Sequence, residues 1–175
     1  MKYHLNIILL ALRAAIVLVF GMVAFYALNI YDSILNPNAE TVVDSYLPQF
    51  KIPQFIIPPA WGTPVFLSLY LLLLIYLIFK LLELHKSLAN LKNGHVFYER
   101  QSAEFKSAGS GIIIFAKCQY LLFCTLGTLV YANIAIFLTE LPWFFALYLI
   151  GKFVLLLHYM AQKGEFLREE NELTV

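Results

Sequence analysis

Three cations sit inside otherwise apolar runs of this chain: Arg13, Lys117 and Lys152. A charged group at bilayer depth is expensive, so it marks an ion path, a counter-ion pair or a ligand contact. No Asp or Glu interrupts the same runs, and Glu83, at the edge of one of them, is the nearest acid. Coupled cation transport ordinarily needs a buried carboxylate to carry or release the ion, so cation pumping is disfavoured. Cations without counter-charges suit two roles, contact with an anionic lipid headgroup or ligand, or simple snorkelling of a long side chain to the interface. Arg13 lies eight residues into its run, roughly 12 Å deep at the helical rise, with Asn6 on the same face. Lys152 lies eleven residues before Lys163, roughly 16 Å from that end and so near the midplane.

Signatures of covalent or metal chemistry are absent. The sequence contains no Gly-rich phosphate loop, no HExxH and no nucleophile elbow. His4, His85, His95 and His158 are scattered, and interfacial placement explains each of them. Cys118 and Cys124 are six residues apart, about 600° around one helix, so they point in different directions and form neither a disulfide nor a metal site. They read as small packing residues. The expectation is a non-enzymatic protein with no cofactor and no metal. With no basic run or DNA-reading motif, direct nucleic-acid binding is not expected.

The elements that place these residues follow from composition. The 175 residues are 61% hydrophobic and 13% charged, against roughly 25% charged in a soluble domain. The fold class expected is an all-α membrane protein, one domain of four transmembrane helices over about 5–30, 64–82, 110–138 and 142–162. The first run is about 25 residues, too long for the ~7–15 of a signal-peptide core, and reads as a retained anchor. The outer loop 31–63 holds Pro37, Pro48, Pro53, Pro58 and Pro59, a density that forbids a long helix. Trp61 begins the next span, and the loop reads as a stiff cover at headgroup depth. Leu81, Leu84, Leu88 and Leu91 continue the second span at helical spacing, with Lys80/Glu83 and Glu83/Lys86 pairs, to a C-terminal cap at Asn93-Gly94. A second polar helix, YERQSAEFKSA, then leads to Gly109-Ser110-Gly111, a kink or a change of packing. In the third span Ser110, Lys117, Tyr120, Cys124, Thr128 and Tyr131 fall on one face, which predicts a central helix with that face toward protein. Pro142 suits the first turn of the fourth.

Basic residues orient the chain. Segments 31–63 and 139–141 carry only Lys51, whereas the other side carries Lys2, Lys80, Lys86, Lys92, Arg100, Lys106, Lys163 and Arg168. Both termini are therefore expected in the cytoplasm, with the protein multi-pass in the cell membrane. The stretch 80–108 becomes a cytoplasmic helical hairpin between helices 2 and 3, and 163–175 a short acidic cytoplasmic tail. Leu84, Leu88 and Leu91 would waste apolar area in water. They need cover from the Phe97/Phe105 side of the returning helix, from Phe166 and Leu167, or from a partner. Leu84, Leu88 and Leu91, together with Phe97, Arg100, Glu169, Glu170, Glu172 and Leu173, are the candidate docking residues.

The ending GEFLREENELTV resembles the terminal pattern of a bacterial family catalogued as domain of unknown function 2975. The pattern is a glycine, two variable residues, leucine, a basic residue, acids and Leu-Thr-Val. It falls on Gly164, Leu167, Arg168, Glu169, Glu170, Glu172, Leu173, Thr174 and Val175. A glycine after a leucine-rich second span, then Phe97, a polar run and a span-three glycine, resembles it too, whereas Tyr98-Glu99-Arg100-Gln101 departs from the family's Thr-x-Glu-Asn. The resemblance implies a four-span membrane protein, here over the entire chain. It also implies one often encoded beside a small helix-turn-helix regulator, hence one that tethers or inhibits a transcription factor. From the residues alone, two classes of function remain. One is a regulatory or interaction partner, and the other a small transporter, channel or lipid-binding subunit acting as a homo-oligomer among membrane lipids.

Overall fold

The computed structural model describes residues 2–36, 59–93, 100–130 and 134–173. Five helices account for nearly all of them: α1 (Lys2–Leu35), α2 (Pro59–Lys92), α3 (Gln101–Leu129), the single turn α4 (Ile136–Thr139) and α5 (Leu141–Leu173). There is no strand among the described residues. Four of the helices are long and apolar enough to cross a membrane. Most of the proline-rich loop, residues 94–99 with His95 and Phe97, residues 131–133 with Tyr131, and residues 174–175 lie outside the described residues.

The helices overrun the expected spans. α2 starts at Pro59, five residues before Pro64, and continues without interruption to Lys92. Proline suits a helix's first turn because its missing N–H would have no partner there. The Pro64 carbonyl accepts the Ser68 hydroxyl at 2.8 Å. α3 runs straight through Gly109 and Gly111, so these glycines mark a change of packing and not a break. α3 stops at Leu129, short of the expected 138. The chain then folds back so that Ile136 occupies the space over Gly127, where a Cβ would come within 2.6 Å of its Cγ2. α5 continues past Gln162 through Gly164 to Leu173, so most of the expected tail is an extension of the fourth helix.

Successive long helices are antiparallel. Arg13 meets His85 and Tyr26 meets Tyr70 between α1 and α2. Lys80 meets Ser107 and Phe66 meets Phe123 between α2 and α3. Ser102 meets Glu165 and Tyr120 meets Phe144 between α3 and α5. Extensive faces join α1 to α2, α2 to α3 and α3 to α5, the last being the largest, and among the described residues no comparable face joins α1 to α5. The four helices thus form an open row, not a closed bundle. α2 and α3 are both packed on two sides, so the inner place expected of α3 from its polar content is shared with the apolar α2.

One core cluster runs the length of the row and includes Leu5, Leu9, Leu74, Leu84, Leu88, Phe105, Ile112, Val154 and Ala161. A smaller one gathers Phe66, Leu67, Leu126, Val130 and Ile136. Between them, Tyr26, Phe66, Tyr70 and Phe123 meet at centroid distances of 5.0–6.0 Å, mostly edge to face. That geometry sets the positive ring edge against the negative face, worth about 0.5–1.5 kcal/mol per pair beyond burial.

Candidate functional site

Polar contacts between helices concentrate at one end of the row, just past the apolar run of α2. The Lys80 ammonium reaches both Glu83 carboxylate oxygens at 3.2 and 3.1 Å and the Ser107 hydroxyl oxygen at 2.9 Å. The Ser107 hydroxyl donates to Glu83 Oε2 at 2.7 Å, closing the triangle. Gly111 makes room for it, since a Cβ there would lie 2.5 Å from Lys80 Cγ. A half-buried pair with a third polar partner is screened less than a surface pair, and this one locks α2 to α3 in register. Lys86 pairs across to Glu104 at 3.9 Å, not back to Glu83 as its i,i+3 spacing suggests.

Flanking contacts tie in the remaining helices. Arg13 Nε donates to His85 Nε2 at 3.0 Å, joining α1 to α2. At the other side Glu165 of α5 caps the start of α3. Its carboxylate accepts the Ser102 backbone N–H at 3.0 Å and the Ser102 hydroxyl at 2.9 Å. The first turn of a helix has N–H groups without intrahelical partners and a partial positive charge, and a carboxylate answers both. Arg100, at the N-cap position, supplies no side-chain cap. His158 Nδ1 lies 2.9 Å from the Ser102 carbonyl oxygen, so this nitrogen carries the proton. All three neighbouring pairs in the row are therefore joined by polar contacts at the same end.

The residues singled out in the sequence divide accordingly. Leu84 and Leu88 are each 6% exposed, and Leu91 packs against the same cluster. They belong to one buried cluster with Leu5 and Leu9 of α1 and Phe105 of α3, so the fold itself covers Leu84 and Leu88. The expectation overlooked α1, whose first three turns looked like membrane anchor. Phe166 and Leu167, expected to help cover these leucines, are 60% and 58% exposed. Arg100 and Glu170 are exposed. Phe97 and the side chains of Glu169, Glu172 and Leu173 lie outside the described residues.

Arg13 is paired across helices. Its partner His85 lies five residues beyond Lys80 on α2, which places it at the polar end of the row. Lys152 lies near the middle of the apolar helix run 136–167. Gly151 abuts Gly109, next to the Ser107–Lys80 contact, and so sets Lys152 level with that cluster. Its ammonium lies 5.4 Å from the Tyr148 ring centroid. Lys117 is exposed, whereas Cys124 of the same expected row is buried and Tyr120 and Thr128 are half-buried. The predicted face is therefore split, because α5 covers only one flank of it. Three residues were missed, Ser102, His158 and Glu165. The signal was present, since His158 and Glu165 are seven residues apart on one helix face and Ser102 opens the polar helix before span three.

Among the described residues no three His, Cys, Asp or Glu side chains come together as a metal site would require. A concavity of about 570 Å³ is an apolar groove between α2 and α3 lined by Leu72, Tyr76, Ile114, Cys118, Leu121 and neighbours. It opens sideways, where the helices are apolar.

A family model described as "Protein of unknown function (DUF2975)" matches residues 38–175. The chain belongs to that family. The match spans α2 through α5 and leaves α1 ahead of it, a narrower extent than the whole-chain likeness expected from the sequence. Neither the curated proteins nor the solved structures contain a match. The ending that resembles the family's begins at Gly164 on the extension of α5, next to Glu165, which caps α3.

Proposed function

We propose that this chain is a non-enzymatic, multi-pass membrane protein whose charged end faces the cytoplasm and holds a protein partner. One observation carries the reading. Phe166 and Leu167 stand exposed on the extension of α5, just past Lys163 and beside the acids of the tail. Exposed apolar side chains rimmed by charge are the usual composition of an interaction site. The extension is held in place by Glu165 on Ser102, so these side chains are presented on a fixed helix and not on a loose tail. A basic partner suits Glu169, Glu170 and Glu172, and the family resemblance points to a small helix-turn-helix regulator. Such acids would act mainly on association rate and with marked salt sensitivity.

Deleting residues 169–175 tests it. Insertion and thermal stability should be unchanged, while a helix-turn-helix protein co-purifying with the full chain at physiological salt should be lost. Retention of that protein by the truncated chain would refute the docking role of the tail. Orientation is checked separately by cysteine labelling from outside, which should reach a Cys at position 49 and not one at position 94.

A second reading, a small oligomeric transporter, channel or lipid-binding subunit, draws on the α2–α3 groove and the open row, whose edge helices leave flanks for lipid or another copy. The paired state of Glu83 with Lys80 leaves that acid poorly suited to carry an ion.

A further inference from the structure

Of the three cations inside or bordering the apolar runs at this end of the row, two are already answered within the chain. Lys80 is held by Glu83 and Ser107, and Arg13 by His85. Lys152 differs. It is exposed, it lies on the flank of α5 away from the core, and it has no carboxylate partner among the described residues. Its ammonium rests near the face of Tyr148, an arrangement that stabilises a cation without neutralising it. Tyr159 follows seven residues later on the same helix face, and Lys163 four after that. Beside Lys152 and Tyr159 the surface sinks into a depression of about 320 Å³, otherwise lined by Leu149, Phe153, Leu155 and Leu156.

This is one cation on the wall of an apolar trough, at the level where the helix row turns from apolar to polar. From this geometry we infer that Lys152 seats an anionic phospholipid. The phosphate is held by the Lys152 ammonium, backed by the Tyr148 ring, and an acyl chain lies along Leu149, Phe153 and Leu156. Snorkelling alone needs no trough. The site stands apart from the docking surface on the far extension of α5, and either can fail without the other.

The test is native mass spectrometry of the full chain in mild detergent, titrated with phosphatidylglycerol, with phosphatidylcholine or with inorganic phosphate. The wild type should retain phosphatidylglycerol in preference to phosphatidylcholine. Lys152→Gln should lower that retention about fivefold, the worth of one lysine near an anionic lipid surface, while Lys152→Arg should preserve it. Lys117→Gln removes an equally exposed charge from α3 and should leave retention unchanged. Millimolar inorganic phosphate should not displace the lipid. Equal loss in Lys117→Gln would show a general charge effect, and displacement by free phosphate would show a simple anion site. Undiminished retention in Lys152→Gln, or no preference for the anionic lipid, would likewise overturn the inference. Each variant's melting temperature, expected to match the wild type because both lysines are exposed, separates lost binding from lost fold.

Discussion

The crossing of α3 and α5 can be probed with a single methyl group. A Cβ at Gly151 would stand 2.6 Å from Ile113 Cγ1, 3.0 Å from the Gly109 carbonyl oxygen and 3.2 Å from the Ile113 amide nitrogen. Two of these three neighbours are backbone and cannot rotate aside, and Ile113 is β-branched with little freedom at χ1. Relief to an ordinary contact of 3.4 Å requires the helices to part by at least 0.4 Å along the largest interface in the fold. Overpacking of this kind typically costs about 1–3 kcal/mol. Alanine also gains about 0.5–1 kcal/mol over glycine in a helix interior, which would mask part of the effect. Gly21 supplies the control, because nothing lies within 4 Å of where its Cβ would be. The propensity gain is common to Gly151→Ala and Gly21→Ala, so the difference between them isolates the steric cost of about 1–3 kcal/mol. Reversible unfolding in mixed micelles, with rising fractions of denaturing detergent, measures both. Coincident midpoints for the two variants would refute the close crossing.

The polar end yields three more expectations. Glu165→Ala should destabilise the start of α3 by about 1–3 kcal/mol, the cost of stranding polar groups that a charged acceptor had satisfied. Amide exchange should accelerate around residues 102–105 and leave the α1–α2 face unaffected. Arg13→Ala and His85→Ala should each cost about 0.5–1.5 kcal/mol, and a double-mutant cycle should return a coupling of similar size. Zero coupling would mean that the contact carries no weight. Gly111→Ala should cost about 1 kcal/mol by pushing the flexible Lys80 stem from its slot, and the penalty should vanish in a Lys80→Ala background.

Much of this architecture was legible because the helix signals are local. Leucines at 84, 88 and 91 with no break before Asn93 announced the overrun of α2, and polar residues strung along 110–128 announced a central α3. What could not be read was pairing at a distance. Leu5 and Leu9 look the same whether they face lipid or the end of α2, and only the antiparallel register that brings Arg13 to His85 decides it. That register also sets Arg13 beside His85 and Lys152 level with the Lys80 cluster, relations that a count along one helix does not reveal. The glycines were noticed, but whether a bare Cα marks a bend or a close crossing depends on what stands opposite. For Gly111 that is Lys80, 31 residues away, and for Gly109 it is α5, some 40 residues on.

The two ends of the row are held by bonds of different character. At one end the contacts are directional, each needing a donor and an acceptor within a few tenths of an ångström. At the other they are mostly ring edges on ring faces, which tolerate sliding. A sheet of rods pinned at one margin and greased at the other has one soft deformation, a fanning of the free margin about the pinned one. Among the described residues no extensive face between α1 and α5 closes the row to oppose it. The margin that carries Phe166 and Leu167 is the pinned one, through the contact of Glu165 with Ser102.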